Sequence, residues 1–139
     1  MRRAVRFGLS ALLAIGAAAP ATTFSAIEGH WSGAQEGLTL VRLTFEENDG
    51  QLRGGALFFM IHRVPGKPAE ATPGYAEPMI DPVFDGKAVT FAINHRYAHP
   101  PGSLDDPPVS FRFELTGADS GRLMAPELPP FPMTREKYH

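Results

Sequence analysis

Side chains able to do chemistry gather in two stretches of this sequence. His62 and Arg63 end one apolar run, and His95, Arg96, Tyr97 and His99 follow another, with Tyr75 between them. Neutral imidazoles are metal ligands, but His62 and His95 belong to different runs, so no metal site is assigned. Arg63 and Arg96 would frame a site for a planar anion better, because each guanidinium is a rigid fork of donors. Solvated strand ends are the simplest account of the whole set. Among carboxylates, Asp105-Asp106 precedes Pro107-Pro108, where Asx turns are the usual reason for aspartate, and Asp85 belongs with Gly86 in a turn. Asp81 with Asp85 shows no sign of a pair facing across a cleft. Ser25, Ser32, Ser103, Ser110 and Ser120 lie in no G-x-S-x-G elbow, and the chain has no cysteine. A non-enzymatic protein without a cofactor is therefore expected.

These residues need a frame. The first segment is expected to lie outside it: Arg2, Arg3 and Arg6 precede an apolar stretch from Phe7 to Ala19, and Ala19-Pro20-Ala21 offers a small-x-small cleavage site. Residues 1–21 read as a secretory signal peptide, too short in its apolar run for a bilayer span. The expected location is periplasmic or extracellular. Thirteen basic residues less the three of the leader leave ten against fifteen acidic ones, a net charge of −5. An acidic exported domain is a poor partner for nucleic acid or, after cleavage, for an anionic membrane surface. Without disulfides it must hold together by packing.

Residues 22–26 are expected to be a disordered lead-in to a single domain over 27–139. The frame centres on Leu38 to Arg63, LTLVRLTFEENDGQLRGGALFFMIHR, where Asp49-Gly50 separates two apolar runs and predicts a β-hairpin. Ile27, Gly29, Trp31 and Gly33 share one face of a preceding strand, with Trp31 as a core plug near one end. The run Ala56–Ile61 is apolar on both faces, which predicts cover on both sides. Pro65–Pro78 reads as a semi-stiff loop without regular structure, and Tyr97–Pro108 as a second loop. Short strands are expected at Met79–Phe84, Val89–Asn94, Val109–Thr116 and Arg122–Ala125. Phe131–Arg135 is the candidate closing strand beside the first. No helical periodicity follows the leader, so the class is all-β. Nearest-neighbour order would gather the tight turns after Phe45, Phe84 and Thr116 at one pole. The connections after Gly33, Arg63, Arg96 and Ala125 would gather at the other, framing the mouth of a small antiparallel up-and-down barrel of about eight strands.

Five segments carry a resemblance: Gly29-His30-Trp31-Ser32-Gly33, the Asn-Asp-Gly hairpin with Gly54-Gly55, Phe84-Asp85-Gly86-Lys87-Ala88-Val89-Thr90-Phe91, Phe113-Glu114-Leu115-Thr116-Gly117, and Phe131-Pro132-Met133-Thr134-Arg135. In that order they resemble small exported bacterial β-domains, found alone or preceding α/β-hydrolase and peptidase domains. The Gly-x-Trp start is also similar to that of the calycins, the lipocalin and avidin barrels. The longer loops and Met133, where leucine is common, depart from the pattern. The resemblance implies a barrel, no catalytic residues, and, for a calycin, an apolar ligand held inside.

The expected function is therefore binding of a small apolar or amphipathic ligand in the interior and mouth, by Trp31, Phe45, Phe58, Met60, Phe91, Phe111, Phe113, Arg63, Arg96 and Tyr97. Val41, Leu43, Val89, Ile93 and Leu115 complete the expected interior. The alternative is an interaction module with a solid core. It would pair with a partner protein or a second copy through the outer face around Leu57, Phe59 and Ile61.

Overall fold

The computed structural model of the chain describes residues 23–94 and 107–137. The expected signal peptide, His95, Arg96, Tyr97, His99, Asp105 and Asp106 lie outside the described residues. Within them the protein is all-β. The strands are β1 (Gly29–Gln35), β2 (Leu38–Asn48), β3 (Gln51–His62), β4 (Glu70–Pro78), β5 (Ile80–Phe84), β6 (Ala88–Ile93), β7 (Val109–Leu115), β8 (Ser120–Met124) and β9 (Phe131–Arg135). They form one antiparallel sheet in the order β4-β3-β2-β1-β9-β8-β7-β6-β5. As expected, Phe131–Arg135 lies beside the first strand, with Trp31 opposite Arg135 and Ser32 opposite Thr134.

The hairpins follow from turn chemistry. Asp49 and Gly50 have φ of 53° and 77°, and Glu36 and Gly37 have 54° and 78°. Two successive left-handed residues match the right-handed twist of the strands they join. At the β5–β6 turn the Asp85 carboxylate accepts the N–H groups of Lys87 and Ala88, both at 2.8 Å.

One expectation is corrected in β4. The segment Pro65–Pro78 is not a structureless loop; its second half is a nine-residue strand. Pro73 pairs with Phe59 and Pro78 with Gly55, and the register shifts between Leu57 and Phe59. Among the described residues β4 has no second neighbour, and an edge strand with a bulge is where a ladder tolerates proline. Met79 alone separates β4 from β5, and its N–H donates to Gly54 O at 2.8 Å. The chain from Glu70 to Phe84 is thus one bent strand that pairs first with β3 and then with β6. Counted so, the sheet has eight strands and is a nearly closed barrel. The corner requires Gly54: a Cβ there would lie 2.6 Å from Met79 Sδ and 2.5 Å from Thr44 O.

This order puts the β2–β3, β5–β6 and β7–β8 turns at one pole, and the β1–β2, β3–β4 and β8–β9 connections, with the end of β6 and the start of β7, at the other. The short-turn pole is plugged. Phe24, inside the lead-in expected to be disordered, is buried and its ring lies 6.4 Å from Phe84. The carbonyl of Phe24 accepts the N–H groups of Ile27 and Glu28 at 2.9 Å, turning fully buried Ile27 into the core. An apolar residue on each side of a tight turn lets this short segment repay its ordering cost by burial.

Candidate functional site

Inward-facing aromatic residues from five strands meet inside the barrel. Phe58 lies 5.9 Å from Phe111, and Phe111 stacks on Phe91 at 5.6 Å. Phe91 meets Phe45 edge-on at 6.4 Å, Phe45 stacks on Phe113 at 5.5 Å, and Phe113 meets Trp31 edge-on at 4.9 Å. The column runs from the open pole to the plug, and each pair adds roughly 0.5–1.5 kcal/mol beyond area burial. Its lower members leave no room for a guest: Trp31 and Phe113 are 0% exposed. Trp31 donates Nε1–H to Ile27 O at 2.9 Å.

Arg135 caps this end. Period-two spacing from Phe131 and Met133 turns it inward, where its guanidinium lies 4.3 Å from the Trp31 ring centroid. It donates to Asp119 Oδ1 at 3.1 Å, to Ala26 O at 2.6 Å, to Ala118 O at 3.2 Å and to Glu28 O. One side chain thereby ties the lead-in, the β7–β8 turn and β9 to the buried indole, using the fork geometry that lysine lacks.

The open pole is different. An apolar cavity of about 350 Å³ is lined by Val41, Phe58, Phe111, Leu123, Leu128 and Phe131, with Gln35 its one polar side chain among the described residues. Of the six large hydrophobic side chains exposed among the described residues, five lie at or near this pole: Phe58 (36%), Met60 (41%), Val64, Tyr75 (71%) and Leu128 (66%). The pairing of β2 with β3 stops at Val41–Phe58, while Phe59–His62 continue against β4 alone. Those four residues, about 13 Å of strand, form an arm beside the mouth that is laddered on one side only.

The sites expected from sequence therefore divide. Phe58, Phe111 and the cavity come together at the mouth. Trp31, Phe45 and Phe113 form packed core, while Phe91 links the two regions. Met60, expected in the interior, projects on the arm opposite Thr72 and is exposed. The expected cover over both faces of Ala56–Ile61 is likewise incomplete, because Phe58 and Met60 meet solvent while Leu57, Phe59 and Ile61 are half-buried. Arg63 makes a loose, exposed pair with Glu36 at 3.7 Å. His62 Nε2 is 2.8 Å from Thr72 Oγ1, an exposed contact on the face of the arm that carries Met60. Leu123, Ala125 and Leu128 were not singled out from sequence. The signal was present, since the loop count puts Ala125–Pro130 at the open pole and Leu128 is its one large apolar residue.

Two carboxyls are held below the usual range. The N–H of Ala88, and then that of Lys87, stabilises ionised Asp85. A hydrogen bond from Arg122, at 2.6 Å, does so for Glu114. Both are turn and strand-pair roles.

Fold and site together define a small antiparallel barrel with a packed lower interior and an apolar mouth. Comparison of the chain with known protein families, with curated proteins and with solved structures finds no match.

Proposed function

We propose that this protein is an exported, non-enzymatic barrel domain that holds a small apolar or amphipathic molecule in its mouth. The observation that carries the reading is the cavity between Phe58, Phe111, Leu123 and Phe131, open to solvent yet walled almost wholly by carbon. Exposed apolar surface concentrated around one concavity is costly unless something occupies it. Its 350 Å³ is room for about a dozen water-sized groups, near the lower end for ligand sites. The bound group rests on Phe111 and does not reach Trp31. The leader-like residues 1–21 support export, and sequencing the mature N-terminus from its host tests cleavage near Ala21.

The binding test uses N-phenyl-1-naphthylamine, an uncharged apolar fluorescent probe. Native protein should enhance its emission saturably, and Ala125→Phe, which fills the mouth from its rim, should weaken binding by about tenfold or more. Equal binding by both proteins removes the mouth from the account.

A second reading has its own observation. Phe59 and Ile61 sit on the arm beyond the last β2 pairing, where apolar side chains on both faces suit a partner chain or second copy. Leu57→Lys separates the two: sedimentation showing a native dimer and a monomeric variant favours the interaction module.

A further inference from the structure

Glu77 lies in the half of the Pro-rich segment that became β4, opposite Ala56, a residue of the barrel interior that is 1% exposed. Cross-strand partners share a face, so its side chain is directed inward. Its Oε1 is sealed from solvent and has no hydrogen-bond partner, the one such atom among the described side chains. Buried polar atoms are nearly always satisfied, because stripping a carboxylate oxygen of water without replacement is expensive. Phe58, a wall of the mouth, is the next inward residue of β3 toward the open pole. Two strand residues span about 7 Å, so Glu77 lies one layer beneath the Phe58 ring, next below the lining of the mouth cavity and not part of it.

We propose that Glu77 is the polar anchor of the mouth: its carboxylate receives the hydrogen-bond-donating head of an amphiphile whose hydrocarbon lies against Phe58. The inference rests on the mouth reading and adds the chemistry of the ligand. An ionised carboxylate only accepts, so the head must donate: an ammonium or a hydroxyl group, not a carboxylate or phosphate. An anionic head would bring like charges together in a poorly solvated place. The acidic balance of the domain acts in the same direction.

The test is calorimetric titration of the intact protein with decylamine, decanol and decanoate, chosen to fit the cavity and to differ at the head alone. Decylamine should bind about tenfold or more tighter than decanoate, the discrimination that one charge-assisted hydrogen bond supplies, with decanol between them. In Glu77→Gln, checked for native melting, the amine should lose that advantage while decanol is retained. Equal affinity of amine and carboxylate for native protein overturns the anchor without needing the variant. So does an unchanged ranking in Glu77→Gln, which would mean that Oε1 meets a trapped water alone. Should none of the three bind, the mouth reading itself is wrong and the anchor falls with it.

Discussion

Gly121→Ala should destabilise the barrel far beyond what one methyl group suggests. Gly121 faces inward from β8, and a Cβ there would lie 2.7 Å from both Cε2 and Cζ of Phe113 and 2.9 Å from Glu114 O. The carbonyl belongs to the β7 ladder and cannot retreat. The ring is hemmed in by Trp31 at 4.9 Å and Phe45 at 5.5 Å, and Trp31 is pinned by Ile27 and Arg135. Overpacking a tight core costs about 1–3 kcal/mol, and the absence of slack places this site near the top. Replacing glycine narrows the unfolded ensemble and returns about 0.4–1 kcal/mol. The expected net loss is about 2 kcal/mol, or roughly 8 °C of melting temperature for a domain this size. Urea unfolding followed by the emission of Trp31 measures it. Phe113→Leu, destabilising alone, should relieve the clash, so the double variant should be less damaged than the summed singles by about 1 kcal/mol or more. A loss under about 0.5 kcal/mol, or strict additivity, would refute the close packing claimed for the aromatic column.

Other outcomes follow from the same geometry. Arg135→Lys keeps the charge but cannot serve all four acceptors, so it should cost about 2–3 kcal/mol and speed hydrogen exchange at Ile27 and Glu28, whose amides bond to Phe24 O. Folded-state values below the unfolded ones mean that Asp85 and Glu114 stabilise fully above the unfolded carboxyl range, near pH 4. That contribution is lost as pH falls through their depressed folded values. Asp85→Asn should therefore lower the melting temperature at neutral pH and converge with the parent in acid, giving a flatter curve. Trp31, sealed beneath Phe113, should keep its emission when the mouth is filled, whereas a reporter introduced as Phe58→Trp, in a Trp31→Phe background, should respond.

The amino-acid sequence by itself determined the class and most of the elements. Asp49-Gly50 and Asp85-Gly86 announce their turns because their local backbone demands are met by few residue types. The alternation through Val89–Ile93 and Val109–Leu115 states which face is buried. Parity of strands then placed the long connections at one pole, since each antiparallel strand reverses the chain. Nothing local revealed β4: its prolines argue against a strand, and only the ladder of β3 beside it makes an edge position available. Phe24 looked like part of a disordered lead-in, although its place is under Phe84, sixty residues further along the chain. Whether the interior is hollow or filled was also undecided, because the rings of Trp31, Phe45, Phe91 and Phe113 come from four strands. Their spacing across the barrel is set by how the sheet bends at Met79 and closes, a property of the assembled sheet and not of any one strand.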